Sequence, residues 1–215
     1  MLTVWGRKSS SNVQAVLWVI AELGIEHERI DAGFTYGVVD TPEYLAMNPN
    51  GTVPTVRDGD GPPLWESGAI LRHLAGTRGD EGFWPSEPHA RAQVDQWAEW
   101  AKVNVAASFT APIFWRAVRT PASRRDPEAI RAAVLAHERV LAIADARLAG
   151  SEYLAADRLT LADIQLGHVL HRYYGIDIER SDALANVRRY YETLAGRAAY
   201  RDAVMVSWEE LADSM

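Results

Sequence analysis

Residues 76–88, GTRGDEGFWPSEP, separate two stretches of chain written in different periods. Ahead of them the apolar residues fall mostly in short, strand-length runs bounded by Gly, Pro, Asn and Asp, with helical stretches between. Behind them every strong pattern repeats at helical spacing. The segment itself crowds Gly, Pro and charge, as a boundary between separately packed units does. The expected organisation is an α/β domain over residues 1–78, a linker over 79–88 and an all-helical domain over 89–215. With 48% of its 215 residues apolar, the chain has enough to build a core.

The first half opens with a short strand, Leu2 to Gly6. A helix follows with Val13, Val16, Leu17, Ile20 and Leu23 on one face, and Gly24 ends it. Between them Ser9, Ser10, Ser11 and Asn12 all have N-cap chemistry, more than one cap uses. A hydroxyl at the mouth of this helix is suited to donate a hydrogen bond to a bound thiolate, aided by the helix dipole. Lowering a thiol by about two units from its usual pKa near 8.5 takes roughly 2.7 kcal/mol. One charge-assisted hydrogen bond, about 1.5–3 kcal/mol, with about 0.3–1 from the helix terminus, supplies it.

Residues 25–31 read as a second strand with His27 facing solvent, residues 33–41 as a polar loop over the pocket, and Pro42 to Met47 as one or two helical turns. Asp58-Gly59-Asp60-Gly61 is a hairpin signal. Its glycines do not make a phosphate loop, because Pro62-Pro63 and a strand follow where a helix is required.

The stretch Asn48 to Gly68, NPNGTVPTVRDGDGPPLWESG, carries two features that core building does not need. Val53-Pro54 precedes a short β-run, and X-Pro is the one bond where a cis peptide is cheap. A cis bond would turn the Val53 N–H and C=O outward to pair with an extended peptide. Glu66-Ser67 starts an amphipathic helix with Ile70, Leu71 and Leu74 on one face. Free N–H groups and a hydroxyl suit a carboxylate, and the adjacent Glu suits an ammonium. A strand slot beside a head-group site for an α-amino acid points to a γ-glutamyl peptide.

NPNGTVP followed by LWESGAILRHLA resembles the glutathione-binding domain of the cytosolic glutathione S-transferase superfamily, in its bacterial, theta-like, serine-type members. The resemblance implies a thioredoxin-like N-terminal domain, an all-α C-terminal domain, glutathione as co-substrate and a homodimer. It also implies transfer of the glutathione thiolate to small hydrophobic electrophiles, a detoxification chemistry. Ser10 then takes the thiolate role, with Asn12 assisting, while Ser9 and Ser11 stand as alternatives one residue away. Asn50, Val53, Pro54, Glu66 and Ser67 become the glutathione contacts. Thr52 departs from the Lys or Gln that many relatives carry there, and Trp5 replaces the tyrosine that other classes place at the end of the first strand. Two rival uses of the fold are a glutathione-dependent disulfide reductase or peroxidase and a non-catalytic binding module.

In the helical half, Val94, Trp97, Ala98 and Ala101 line the inner face of a long helix that Pro112 is expected to kink or break. Asp126-Pro127 is an N-cap with an N1 proline, and Thr160-Leu161-Ala162-Asp163 is a capping-box-like start, so Asp163 reads as structural. The second substrate is expected between the domains, against Tyr36, Phe109, Pro112, Ile113, Trp115 and Arg116. Arg116, Arg119, Arg124 and Arg125 form a basic stretch, one member of which is a candidate partner for an anionic substrate or a glutathione carboxylate. His168 and His171 stand at i, i+3 near Asp177 but lack a third ligand, so no metal is expected.

Composition narrows the partners. A net charge of −7 argues against nucleic acid or an anionic membrane. With no cysteine, the protein has no thiol nucleophile of its own, and any thiol must arrive with a ligand. There is no run of 18 apolar residues and no signal-peptide pattern, and a soluble, cytoplasmic protein is expected.

Overall fold

A computed structural model describes all residues 1–215. The first half is a four-stranded sheet in the order β2-β1-β3-β4, built from β1 (Leu2–Trp5), β2 (His27–Ile30), β3 (Thr55–Asp58) and β4 (Leu64–Trp65). β1 runs parallel to β2, with Leu2 opposite His27, and antiparallel to β3, with Val4 opposite Val56. The crossover from β1 to β2 is helix α1 (Ser11–Glu22), and α2 (Pro42–Met47) precedes β3. The β3–β4 hairpin turns at Asp58–Gly61, and α3 (Ser67–Arg78) follows β4 directly. This is the thioredoxin-like arrangement expected. From Pro88 onward every element is helical.

Helix α1 is more buried than one apolar stripe implies. Val13 through Ile20 are all buried, because α1 packs on α3 from one side and on the helical half from the other. Its main neighbours there are α7 (Leu161–Gly175) and α9 (Ala198–Ala203). The elements approach closely at Gly167, where a Cβ would lie 2.8 Å from the Trp18 ring and 2.6 Å from Leu194 Cδ1. Trp18 also meets Tyr200 edge-on, with centroids 4.7 Å apart. At the far end of α1, Glu22 accepts from Trp18 Nε1 at 2.8 Å and from both Arg197 nitrogens at 2.7 and 2.6 Å. One contiguous core therefore runs through both halves.

Helix α7 starts as its sequence predicts. The Asp163 carboxylate accepts the Thr160 N–H at 2.8 Å and hydroxyl at 3.0 Å, and also the Leu154 N–H at 2.8 Å and the Tyr190 hydroxyl at 2.9 Å. Asp126 caps α6 (Pro127–Leu148) through the Glu128 and Ala129 N–H groups. Pro112 does not break the helical run, which changes pitch around it. Helix α4 (Pro88–Trp100) continues through wide, π-type turns at Ala101–Ala106 and Thr110–Arg119, with the short α5 (Ala107–Phe109) between them. Pro112 lies inside the second wide stretch, where the wider turn removes both the clash and the hydrogen bond that a proline denies an α-helix. Helix α8 (Ala185–Ala195) completes the set. No helix is long and apolar enough to cross a membrane.

Candidate active site

The Val53-Pro54 peptide is cis. Buried Asn48 holds the loop around it, donating to Thr52 O at 2.9 Å and to Thr55 Oγ1 at 3.1 Å. The Tyr44 hydroxyl donates to Thr52 O at 2.7 Å and lies 2.9 Å from Thr55 Oγ1. Both flanks of Val53-Pro54 are thus pinned, while no hydrogen bond within the chain uses the Val53 N–H or C=O. Asn50 is exposed, its backbone and side-chain N–H groups both donating to Asn48 Oδ1 at 3.1 and 3.0 Å, so its side-chain oxygen and second amide hydrogen stay available to a ligand.

Across the cleft, Glu66 sits at φ +66° and opens α3 with its carboxylate exposed. Ser67 is buried, and its hydroxyl donates to Asn12 Oδ1 at 3.3 Å. A third residue closes this cluster from the helical half. Lys102 Nζ donates to Ser67 Oγ at 2.8 Å and to Asn12 Oδ1 at 3.1 Å. Burial holds the Lys102 ammonium below its usual pKa, and the Glu66 and Glu99 carboxylates pull it back up. Sequence reasoning missed Lys102, a single lysine in an otherwise ordinary helical run. Nearby, the buried Gln165 amide lies 3.5 Å from where a Cβ on Gly68 would stand, with neither of its polar atoms partnered.

The three serines of the β1–α1 loop have different surroundings. Ser9 is buried and engaged, its hydroxyl donating to Glu210 Oε1 and accepting from Arg7 Nε at 3.1 Å. Ser11 is the first residue of α1 and half-buried. Ser10 is the N-cap, its carbonyl accepting from Gln14 N–H at 2.9 Å, yet its hydroxyl caps nothing. That hydroxyl sits at the positive end of α1 with no partner in the chain.

Of the residues expected around the second substrate, Tyr36 and Trp115 present exposed rings, Pro112 is half-buried and Arg116 is exposed. Phe109 and Ile113 do not line the cleft, being 2% and 0% exposed. Phe109 packs among Phe114, His137 and Tyr173, because the wide helical turns point it into the core of the helical half. The histidines are structural in their contacts, His168 Nδ1 lying 3.1 Å from Ile164 O and His171 Nδ1 3.3 Å from the Tyr191 hydroxyl. No three His, Cys, Asp or Glu side chains gather in a metal-binding arrangement.

Residues 1–76 match the family model "Glutathione S-transferase, N-terminal domain", and residues 106–198 match "Glutathione S-transferase, C-terminal domain". Glutathione S-transferase GstB of Escherichia coli K12 is 35% identical over 207 residues, covering 96% of this chain and 99% of the relative.

The chain belongs to the glutathione S-transferase family.

Among solved structures, this transferase superposes on the theta class glutathione S-transferase of Xanthomonas axonopodis pv. citri with glutathione bound. The TM-score is 0.90 at 40% identity, over 96% of this chain and 98% of that one. The apo form of the same Xanthomonas enzyme superposes with a TM-score of 0.81. The transferase fold thus accounts for the sheet, the helical half and the cleft between them.

Proposed function

We propose that this transferase binds glutathione along the Val53 backbone and transfers its sulfur to small electrophiles. The γ-glutamyl carboxylate takes the start of α3 at Ser67 with Lys102 beside it, and Glu66 holds the α-ammonium. The thiolate then lies at the mouth of α1 with the Ser10 hydroxyl donating to it, and Asn12 ties that end of the site to Ser67. In the reaction the thiolate attacks an electrophilic carbon, the C–S bond forms, and the leaving group departs with its electron pair. The thiol proton has already passed to solvent. The protein's share is to keep the sulfur ionised and the partner close. By family likeness the active form is a homodimer, which light scattering would report as twice 23.9 kDa.

The observation that carries this reading is the Ser10 hydroxyl, unpartnered at the N-cap of α1, whereas Ser9 is engaged by Glu210 and Arg7, and Ser11, also unpartnered, stands one residue further into the helix. The test is the Ser10→Ala variant, with Ser9→Ala and Ser11→Ala as controls. Losing one charge-assisted hydrogen bond lowers kcat/KM toward a chlorodinitrobenzene-type electrophile by about 10- to 150-fold. The ultraviolet titration of bound thiolate then moves up by about 1–2 units. An unshifted titration with full conjugating rate rejects Ser10. Faster turnover of a mixed disulfide than of the aryl halide redirects the assignment to disulfide reduction.

A further inference from the structure

Around the β1–α1 loop, arginines of both halves gather an excess of positive charge that binding glutathione at Val53 and α3 does not use. Arg7 and Arg119 both lie against Phe34, their guanidinium carbons 5.4 and 5.8 Å from the ring centroid. Arg119 also lies 5.4 Å from the Trp115 ring, and its only hydrogen-bonded acceptor is Ser214 Oγ at 3.1 Å. Beneath them Arg172 is buried, donating to the Ser9 carbonyl and stacking 4.6 Å from Phe114, with Nε unpartnered and no carboxylate paired to it. Burial and the nearby Arg7 lower the Arg172 pKa to about 9, the mark of cations gathered without enough counter-charge. Three guanidiniums thus gather where only Arg7 has a carboxylate within reach, in a chain whose net charge is −7.

That carboxylate is Glu210, on a short turn (Glu209–Leu211) of the C-terminal segment. It takes the Ser9 hydroxyl and stands 3.9 Å from Arg7 Nε. The turn is anchored elsewhere, by buried Leu211 and by the Asp213 and Met215 N–H groups on Val118 and Arg119 carbonyls at 3.0 Å. A cavity of about 280 Å³ beside Ser9, Tyr36 and Glu210 gives the Glu210 side chain room to swing away. Around the arginine pair the aromatic surface is open, with Phe34, Tyr36 and Trp115 each more than a third exposed.

Building on the transferase reading, we propose that the second-substrate site takes an aromatic electrophile bearing a carboxylate, and that Glu210 occupies the carboxylate's place on Arg7 and Ser9 until the substrate arrives. Arg119 and Arg7 flank the anion, Phe34 and Trp115 take the ring, and the reactive carbon faces the sulfur at Ser10. The aromatic displacement forms the sulfur–carbon bond and expels the halide with its electron pair.

Calorimetry on the full chain saturated with glutathione tests the site without requiring turnover. The probes are 3,5-dinitrobenzoate and the neutral 3,5-dinitrobenzamide, neither of which carries a leaving group. The acid is expected to bind at least tenfold more tightly than the amide. Arg119→Met should erase that ratio, and Glu210→Gln, which keeps an acceptor for Ser9 but removes the resident charge, should raise it about three- to tenfold. Equal binding of acid and amide, a ratio unchanged in Arg119→Met, or competition of the acid with glutathione overturns the proposal. Competition would mean that the arginines serve the tripeptide itself. Turnover of 4-chloro-3,5-dinitrobenzoate is measured separately. An enzyme that prefers the acid but leaves the chloride in place fails as a conjugating transferase while keeping the anion site.

Discussion

Lys102 brings a cation from the helical half into a cleft otherwise built by the first half, and its ammonium is held by two neutral oxygens, Ser67 Oγ and Asn12 Oδ1. Such a charge is poorly compensated until an anion arrives, which makes it a strong contributor to carboxylate binding. Lys102→Met should weaken glutathione binding by about 10- to 150-fold, the worth of a charge-assisted hydrogen bond, and raise KM far more than it lowers kcat. Fluorescence titration with glutathione checks the first part and steady-state kinetics the second. At this scale the sequence was only half legible. Ser10, Asn12, Val53 and Ser67 sit in motifs whose chemistry is local, a loop at a helix mouth or a proline before a strand. Lys102 and Glu210 come from about 90 to 200 positions away from the β1–α1 loop and no neighbour in sequence marks them, whereas Arg119 stood in a basic stretch that did not say which of its four arginines matters. Phe109 and Ile113 misled for the related reason that an aromatic or apolar side chain on a helix carries no label for core or cleft.

Among the elements, α7 shows which signals survive without tertiary information. Its start was readable because Asp163 works on the backbone three residues back, and the proline cap of α6 was readable in the same way. Truncating Asp163→Ala leaves the Leu154 and Thr160 N–H groups and the Tyr190 hydroxyl without their acceptor. The expected cost is about 3 kcal/mol or more, read as a lowered urea midpoint. Pro112 was not readable, because whether a proline breaks a helix or is absorbed by a wider turn depends on what holds the helix from outside. Gly167 was equally silent, and Gly167→Ala should cost about 1–3 kcal/mol by pressing a methyl into Trp18 and Leu194.

Helix α7 also sets a pH dependence through His168, whose pKa burial lowers to about 3, with the nearby Lys102 charge adding to the shift. The unfolded chain titrates near 6.5, so above that value both states are neutral and His168 contributes no slope. As pH falls below it, the unfolded state takes up a proton that the folded state refuses, and stability declines by about 1.4 kcal/mol per unit down to the folded pKa. Between neutral-to-alkaline pH and pH 5 the loss is therefore about 2 kcal/mol, most of it below pH 6.5. A His168→Gln variant should lose that much less than the parent over this interval in urea unfolding; identical slopes would refute the assignment.

For the molecule as a whole, the two halves divide in sequence but not in packing. The GTRGDEGFWPSEP segment made the division visible, whereas the contact that undoes it does not show in the sequence, because it is made by α1 facing α7 and α9. Glu22 fastens the end of that contact to Arg197 and Trp18. Glu22→Ala leaves the Trp18 indole N–H without its acceptor and a half-buried guanidinium unpaired, at a cost of about 2–3 kcal/mol. Thermal unfolding should still show one transition, at lower temperature, with intrinsic fluorescence and circular dichroism coincident. Two separated transitions would mean that the halves are independent units after all.

The fit of one indole against one missing methyl has a consequence for recombination. Joining the front portion of this chain to the rear portion of a relative keeps the fit when the residue facing Trp18 is as small as Gly167. A shuffled library spliced between residues 78 and 88 should therefore yield folded offspring mainly from parents that agree at those two distant positions, whatever their similarity elsewhere.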